Sequence, residues 1–417
     1  MSDDFTKIAD SSWGRNAEQM PRALLAAATS PDISDRASFA KESTVPESQS
    51  LDATTSLAPQ PKPTASSSAP VRVIYVMGAG RSGSTALEAM LGDHEDAVAV
   101  GELANIFLYW NDLIHCSCGL RGPECGVWKD IERRFCELTG LSSFLEHNRL
   151  MQRFEGFDPR RGLGLPQWLR MSLAEKAPDR DAELWKQRNV AIYQAVADVT
   201  GKRVIIDSSK SPLRARALCL TSELDVRLVH LTRDVRGVAW SRLKAYRKAP
   251  KLGFGKDHPP TPVWRSVAYW GVMNMLGSMV RRSYPDCPSL LVRYEDYTTE
   301  PMREFGRISE VVGLDYTQIA ERLIAGQPVR PQHTSAGNPV RMQGAIRLSP
   351  DYEWMEKLPE SDRATCWRLA SWMMRSYGYD KHPQVDAELF GRRAHSGWAE
   401  KVAQEAASEA TGQQKAA

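Results

Sequence analysis

The segment VRVIYVMGAGRSGSTALEAML constrains the fold of this chain more than any other part of its sequence. Residues 71–77 form a β-branched, largely apolar run that ends in glycines, and residues 85–91 carry apolar side chains at helical spacing, so the pattern predicts a strand, a loop and a helix. Gly80 and Gly83 allow backbone N–H groups to converge on an anion, which the positive N-terminal end of the following helix also attracts. The sequence therefore predicts a phosphate-binding loop.

The loop departs from the pattern of nucleoside triphosphatases at one position. It fits G-x-x-x-x-G-K-[ST] except that Ser84 replaces the lysine, and it reads Gly78-Ala79-Gly80-Arg81-Ser82-Gly83-Ser84-Thr85. That lysine neutralises the β- and γ-phosphates of a triphosphate, so its loss makes a triphosphate a poor ligand and leaves Arg81 as the cation of the loop. A glycine-rich turn without a ligand is the alternative, which the position between a clear strand and a clear helix disfavours.

Three further strand patterns alternate with helical ones. They cover residues 204–207 in KRVIIDSSKSP, 226–231 in VRLVHLTRDVRGV and 290–294 in SLLVRYEDY. A helix that Asp234 could cap follows the second of these, and another is predicted over residues 301–312. Strands separated by helices imply right-handed crossovers and ligands at the carboxyl ends of the strands. We predict an α/β, P-loop-containing fold with a central, mainly parallel β-sheet flanked by helices.

The chain of 417 residues divides into three predicted parts. Residues 1–70 lack apolar periodicity and become rich in Ser, Thr, Pro and Ala, so we predict a disordered N-terminal segment. Residues 71–390 are predicted to form the ordered domain, with a helical insertion at about residues 105–200 that would shape the pocket beside the site. Residues 391–417 are predicted to be a flexible C-terminal tail.

Charge and hydropathy limit the partners. The chain has 54 Lys and Arg against 51 Asp and Glu, a net charge of +3, which is too even to favour nucleic acid as a partner. The N-terminus MSDDFTKIAD lacks a basic region followed by an apolar one, and no stretch offers the roughly 18 apolar residues that a spanning helix needs. We expect a cytoplasmic protein without an integral membrane segment, and the oligomeric state stays open.

The cysteines allow several interpretations. Seven cysteines are an odd number, and they lack the spacing of a disulfide framework, which fits a reducing compartment. Cys116, Cys118 and Cys125 cluster next to His115. Thiolates and imidazole bind zinc, but the usual C-x-x-C spacing is absent. We therefore assign no metal ligand and place zinc below a stapled or simply packed loop. Which of the three applies stays open.

At this point the chain resembles the sulfotransferases that use 3′-phosphoadenosine-5′-phosphosulfate (PAPS). In that family the loop for the 5′-phosphosulfate follows the first strand and has a basic residue followed by S-G-[ST]-[ST]. Arg81 and residues 82–85 match this pattern here. The family signature for the 3′-phosphate is an Arg and a Ser at a strand-to-helix junction, and it reads Arg233-Asp-Val-Arg-Gly-Val-Ala-Trp-Ser241 in this chain. Arg233 at the strand end and Ser241 in the helix could face one phosphate.

A looser resemblance lies near the C-terminus and brings the similar region to roughly residues 71–379. HTSAGNPVRMQGAIRL looks like the loop that closes over the nucleotide in this family, and Arg347 there is either a further contact or a surface charge. The resemblance implies PAPS as the donor, no required metal, and a nucleotide site made of Gly80, Arg81, Ser82, Gly83, Ser84, Thr85, Arg233, Ser241, Arg341 and Gly344.

Sulfuryl transfer resembles phosphoryl transfer, so positioning and charge stabilisation dominate, and a base accepts the hydroxyl proton. Glu102 follows an apolar run at residues 97–100, and similarity to the tyrosylprotein and carbohydrate branches of the family implies that it is the base. Lys210 follows a strand end and would stabilise the leaving 5′-phosphate together with Arg81. The alternatives are a solvent-exposed or helix-capping glutamate and a surface lysine.

Histidines are further candidates for the base, and aromatic residues are candidates for packing in the core or behind the loop. Cytosolic members of the family use a histidine base, but neither His94 nor His115 has the matching sequence context. Trp264 opens an apolar helical stripe that predicts a core face, and Trp270 lies off it. Tyr294 in RYEDY is implied by the resemblance to pack behind the nucleotide loop.

The sequence thus predicts a sulfotransferase whose acceptor is a small metabolite, lipid or glycan. A small-molecule kinase that uses ATP and magnesium is the alternative, which the missing lysine disfavours; Asp207 is its nearest candidate for an acidic strand end. A catalytically inactive nucleotide-binding module is a second alternative. The joint presence of Arg81, Glu102 and Lys210 argues against it.

Overall fold

Five strands form the central sheet of the computed structural model, which describes residues 70–111, 114–155, 165–176, 179–244 and 259–383. The sheet order is β2-β3-β1-β4-β5 and every neighbouring pair is parallel. The strands are β1 (Val71–Gly78), β2 (Ala97–Gly101), β3 (Val204–Lys210), β4 (Leu224–Thr232) and β5 (Ser289–Arg293). The predicted α/β class with a parallel sheet is confirmed.

Helices occupy the connections between the strands, as parallel pairing requires. In chain order they are α1 (Ser84–Leu91), α2 (Ile106–Tyr109), α3 (Gly126–Thr139), α4 (Asn148–Phe154), α5 (Leu165–Lys176), α6 (Arg180–Thr200), α7 (Pro212–Cys219), α8 (Val235–Leu243), α9 (Val263–Ser283), α10 (Tyr294–Thr299), α11 (Pro301–Val312), α12 (Thr317–Ile324), α13 (Glu353–Lys357) and α14 (Glu360–Ser376). Helices α2 to α6 all lie between β2 and β3, where the helical insertion is predicted.

The central strand β1 separates two hydrophobic clusters because successive side chains of a strand point to opposite faces. Val73 and Tyr75 belong to a cluster with buried residues of α3, α6 and α7. Ile74 and Val76 belong to a second cluster with buried residues of α1, α11 and α12. Both faces of the sheet are therefore covered by helices, which explains why the strand is apolar almost throughout.

The strand register brings the carboxyl ends of β1, β3 and β4 to one edge of the sheet. Gly78 pairs with Leu231, and Met77 pairs with Lys210. Gly78 has a φ of 144°, and a Cβ at this position would lie 2.1 Å from the carbonyl oxygen of Leu231, so only glycine fits there. This edge is where ligands bind in open α/β sheets.

The structure corrects several sequence predictions. The apolar run at residues 97–100 is a strand of the sheet, β2. The predicted strand at 290–294 ends at Arg293, because Tyr294 already begins the short helix α10. The predicted core stripe is confirmed at Val267, which is buried, but was wrong for Trp264, which is 41% exposed. Trp270, which lies off the stripe, is fully buried and donates its indole N–H to a backbone carbonyl.

Parts of the predicted organisation fall outside the described residues. This holds for nearly all of the N-terminal segment and for the whole C-terminal tail. The boundaries of the ordered domain stay a prediction. Within the described ranges no helix combines the length and apolar character needed to cross a membrane.

Candidate functional site

The phosphate loop joins β1 to α1 in a strained turn. Gly83 stands before the first residue of α1 with a φ of 86°, and Arg81 has a φ of 75°. Left-handed backbone costs an arginine of the order of 1 kcal/mol or more, and such strain persists where the surroundings fix it, often at ligand sites. The loop thus has the local geometry of a binding turn.

Two tyrosines hold the backbone of this loop. Tyr269 of α9 accepts a hydrogen bond from the N–H of Gly80 at 3.1 Å, and Tyr297 of α10 donates its hydroxyl to the carbonyl of Gly83 at 3.1 Å. Ser82, which lies between Gly80 and Gly83 in sequence, is buried, and its Oγ has no hydrogen-bond partner among the described residues. A buried hydroxyl without a partner is costly, and an anion oxygen would satisfy it.

Arg233 lies directly against the loop. Its guanidinium donates to the carbonyl of Arg81 at 3.2 Å and to the carboxylate of Asp351 at 3.0 Å, and it stacks over the ring of Tyr294 at 4.4 Å. Burial raises the pKa of Asp351, but the Arg233 guanidinium lowers it by more, so the pKa lies below its ordinary value. Tyr294 also packs against the phosphate loop, because a Cβ at Gly83 would lie 2.5 Å from its Cδ2.

Ser241 lies farther along, on α8. The carboxylate of Asp234 caps this helix by accepting the N–H of Arg236 at 2.9 Å, so the predicted cap is confirmed. Ser241 is half-buried. The hydrogen bonds found in the described part of the chain do not join it to Arg233, so a shared phosphate contact of the two stays a prediction.

A later segment, residues 333–344, contacts the loop at Thr85, and we call it the closing segment. Ser335 donates its N–H and its hydroxyl to the carbonyl of Val100, at 3.0 and 2.8 Å. The N–H of Asn338 donates to Thr85 Oγ1 at 3.1 Å. The closing segment therefore touches both the end of β2 and the first turn of α1.

The closing segment buries Arg341 and ends at Gly344. Arg341 is 3% exposed, burial lowers its pKa, and its Nε has no partner within the described ranges. Gly344 has a φ of 74° and terminates the 3₁₀ turn Pro339–Gln343. Arg347 lies apart, since its guanidinium donates to the carbonyl of Gly326. A buried guanidinium with unused donors favours an anion nearby.

Glu102 and Lys210 meet at the same edge of the sheet. The Lys210 ammonium donates to Glu102 Oε1 and, at 3.2 Å, to the carbonyl of Ser208, while Glu102 Oε2 accepts from Asn105 at 2.8 Å. Their side chains are 14% and 22% exposed, so the pair remains accessible. Lys210 has a left-handed φ of 69° and pairs in register with Met77, next to the phosphate loop.

Glu88 of α1 is a site residue that the sequence reasoning missed. Its carboxylate is buried, accepts the N–H of Gly101 and accepts the Ser208 hydroxyl at 2.6 Å. Burial raises the pKa of Glu88 to about 8. The residue therefore connects the helix of the phosphate loop to the strand ends that carry Glu102 and Lys210. A single carboxylate inside the apolar run TALEAML was the available signal.

Asp207 does not fit the magnesium role that the kinase alternative gave it. Its carboxylate is fully buried and accepts hydrogen bonds from Tyr193 at 2.6 Å, from the N–H of Ser209 at 2.8 Å and from Arg214 at 3.4 Å. These contacts belong to a buried network beneath β3. Asp207 is accordingly a structural residue.

The two histidines considered as bases lie in segments other than the strand ends that carry Glu102 and Lys210. His94 lies in the turn after α1, where its Nδ1 accepts the N–H of Asp96 at 3.1 Å. His115 forms an isolated β-bridge with Arg121 in the cysteine-rich loop. Neither position favours a histidine base over Glu102.

Known proteins that are similar to the chain are sulfotransferases. The family model described as "Sulfotransferase family" matches residues 136–318, which include Lys210, Arg233 and Ser241 but not the phosphate loop. No curated protein matches the sequence.

Solved structures similar to the chain include three sulfotransferases. The sulfotransferase domain of the olefin synthase of Synechococcus PCC 7002 is 17% identical, with 75% of this chain and 96% of that chain covered and a TM-score of 0.36. The sulfotransferase domain from the curacin biosynthetic pathway is 14% identical, with 75% and 99% covered and a TM-score of 0.38. A sulfotransferase from Mycobacterium avium is 13% identical, with 75% and 78% covered and a TM-score of 0.37.

The fold and the loop define an α/β protein of the P-loop type, with its site at the carboxyl edge of a parallel sheet. Residues 136–318 match the sulfotransferase family model, and this match supports a sulfotransferase assignment for the chain.

Proposed function

We propose that this protein transfers a sulfuryl group from PAPS to a hydroxyl group of a small-molecule, lipid or glycan acceptor. The observation that carries the proposal is the ion pair of Glu102 and Lys210 beside the phosphate loop. A carboxylate that can accept a proton and an ammonium that can stabilise a leaving phosphate are the two groups that the reaction requires.

The residues around the loop fit a donor with phosphate groups at two positions. Ser82 Oγ, Arg233 Nε and Arg341 Nε are buried polar atoms that have no partner in the described part of the chain. Hydrogen-bond donors in this state favour anion oxygens. Ser82 belongs to the loop for the 5′-phosphosulfate, and Arg233 and Arg341 are assigned to the 3′-phosphate.

The proposed reaction balances with the protein groups at hand. The acceptor oxygen forms a bond to sulfur as the bond between sulfur and the bridging phosphate oxygen breaks, and Glu102 takes the hydroxyl proton. The products are a sulfate ester and adenosine 3′,5′-bisphosphate. An ammonium has three N–H donors, and the contacts of Lys210 use two, so the third can stabilise the bridging oxygen as it gains charge.

The strained backbone supports this role for Lys210. A left-handed φ of 69° is unfavourable for lysine, yet it directs the side chain from the strand end toward Glu102. A lysine that served only as a solvated surface charge would gain nothing from this strain. The same holds for Arg81 in the loop, which has a φ of 75°.

Calorimetric titration of the full chain tests the donor. We expect heat of binding with adenosine 3′,5′-bisphosphate in the presence of a chelator, and none with ATP and magnesium at the same concentration. A transfer screen with radiolabelled PAPS over hydroxylated lipids, sugars and phenols then identifies the acceptor. Binding of ATP with magnesium alone would replace the proposal by the kinase alternative.

A matched pair of arginine variants locates the nucleotide. Arg341→Met should weaken the binding of adenosine 3′,5′-bisphosphate, because Arg341 is buried beside the loop. Arg347→Met is the control, since this guanidinium contacts the Gly326 carbonyl instead. Equal affinities of the two variants would remove Arg341 from the nucleotide site.

A further inference from the structure

Three cysteines and one histidine that are far apart in sequence meet outside the proposed active site. The donor atoms of Cys116, Cys118, Cys125 and His333 all lie within 4.8 Å of one another. His333 Nδ1 is 3.5 Å from the Cys116 sulfur and 3.3 Å from the Cys125 sulfur. The imidazole in this group is thus not that of His115, the sequence neighbour of the cysteines.

These separations suit a tetrahedral zinc ion. With zinc–sulfur bonds of about 2.3 Å and zinc–nitrogen bonds of about 2.05 Å, tetrahedral ligands place sulfur and nitrogen about 3.6 Å apart and two sulfurs about 3.8 Å apart. The observed distances from His333 Nδ1 to two sulfurs are close to the first value. Three thiolates and one imidazole are also a common ligand set of structural zinc sites.

The surrounding backbone holds the donors in place. The N–H of Ser117 donates to the carbonyl of Thr334 at 3.0 Å, and the N–H of Thr334 donates to the Ser117 hydroxyl at 3.1 Å. The indole N–H of Trp128 donates to the carbonyl of His333 at 2.7 Å. Residues 115–125, which we call the cysteine loop, and the chain around His333 are therefore connected by contacts that involve no cysteine side chain.

Burial separates the four ligands into two pairs. Cys116 and Cys125 are buried, with relative exposures of 0% and 1%, whereas Cys118 and His333 face solvent. The two buried thiols form the inner half of the site, and Cys118 and His333 would complete it from the solvent side. An ion could therefore enter without unfolding the core.

We propose that Cys116, Cys118, Cys125 and His333 bind one zinc ion, which fastens the closing segment to the cysteine loop. His333 is the first residue of the closing segment, which also contacts Thr85 and buries Arg341. A bond between positions 125 and 333 closes a chain loop of 208 residues, so it restricts the segment that would cover the nucleotide. This site differs from the sequence prediction of no metal.

A disulfide is the competing use of the same thiols. Two sulfurs in a disulfide lie about 2.05 Å apart, whereas all the cysteines in the described residues are free. A disulfide would also leave the third thiol and the imidazole without a function. Zinc uses all four donors at once.

Metal analysis of the full chain tests the proposal. The protein, expressed with zinc and purified without chelator, should contain one zinc ion per chain, which a mercurial thiol reagent should release. Substitution by cobalt should give the intense visible absorption of a tetrahedral thiolate site. These measurements need neither PAPS nor an acceptor, so their outcome is independent of the proposed reaction.

Variants define the ligands. Cys125→Ser and His333→Ala should lose stoichiometric zinc, and His333→Cys should retain it because a fourth thiolate replaces the imidazole. Cys136→Ser, which removes a half-buried thiol of α3 outside the cluster, is the control and should keep its zinc. If a variant fails to fold, cobalt absorption of the native chain still reports the ligand set.

Three results would overturn the proposal. They are a chain purified from zinc-containing medium that has all thiols reduced and holds no metal, an intact mass that lacks two hydrogens and thus reveals a disulfide, and full zinc content in His333→Ala.

Discussion

Two groups of side chains, each with a cation and a carboxylate, lie close together at the end of β3 and differ in burial. Arg214 pairs with Glu155 at 2.8 Å and with Asp207 at 3.4 Å, and the side chains are 0%, 2% and 0% exposed. Lys210 pairs with Glu102, and these two side chains retain 14% and 22% exposure. The same chemistry of cation and carboxylate therefore occurs once in the dry interior and once at an accessible edge.

The two groups also differ in the number of side chains that their cation contacts. The Arg214 guanidinium donates to four side chains, since it also reaches Asn189 at 3.1 Å and Tyr193 at 3.2 Å. The described contacts of Lys210 leave one of its donors for a ligand. A buried network in which every guanidinium nitrogen has a protein partner fixes the fold, whereas an accessible ion pair suits chemistry.

Glu102→Gln should produce the largest effect, on turnover. Loss of a general base lowers kcat by about 10²–10⁴-fold, whereas nucleotide affinity and the free energy of unfolding should change little because the amide keeps the shape. Transfer assays, calorimetry and denaturant unfolding measure the three quantities. An equal loss of affinity and turnover would mean that Glu102 binds the donor and is not the base.

Arg214→Met and Lys210→Met apply one substitution to both groups. Removing Arg214 leaves buried carboxylates without their cation and should lower the free energy of unfolding by about 3–5 kcal/mol. Lys210→Met should cost less than about 1 kcal/mol, because its pair is partly exposed, while it abolishes most turnover. Urea unfolding measures the loss of stability in both variants. Equal losses would contradict the distinction between a buried structural group and an accessible pair.

Glu88 lies between the two groups and should make stability depend on pH. An unfolded glutamate titrates near 4.5 and folded Glu88 near 8, so between these values the folded protein holds a proton that the unfolded chain has released. Its contribution is complete below about pH 4.5 and is lost as the pH rises through about 8. Each pKa unit corresponds to about 1.4 kcal/mol.

Glu88→Gln should remove that part of the pH dependence, because the amide mimics the protonated acid. Unfolding free energies measured from pH 5 to 8 (about the window set by the two pKa values) should fall for the natural chain and stay flatter for the variant. Parallel curves would show that another group causes the slope.

Ser82→Ala should have the smallest effect. The hydroxyl has no partner among the described residues, so its removal should leave stability unchanged and weaken the binding of adenosine 3′,5′-bisphosphate by about 1 kcal/mol, roughly fivefold. Calorimetry at constant salt measures it. An unchanged affinity would place the anion away from the Ser82 hydroxyl.

Local patterns predicted the parts of the site that depend on neighbours in sequence. The phosphate loop, the cap at Asp234 and the strand ends that carry Lys210 and Arg233 follow from periodicity, glycine placement and motif spacing. Glu102 was singled out by the family resemblance and because it follows an apolar run, although that run was not recognised as a strand. Its pairing with Lys210 became visible only in the structure.

Contacts between distant segments were the part that no local pattern could provide. Glu88 looks like an ordinary helical glutamate until β2 and β3 pack against α1. Trp264 and Trp270 lie on one helix, and only the packing of α9 decides which of them is buried. His333 gives no sign in its own neighbourhood that it faces Cys116 and Cys125.

The sequence alone determined the class of fold and predicted that its first loop binds an anion, because a strand, a glycine-rich turn and a helix are specified by residues adjacent in the chain. The tertiary structure decided which charges are saturated, which remain accessible and which thiols share a histidine. These properties depend on side chains that meet only after the sheet has assembled and water has left its interior.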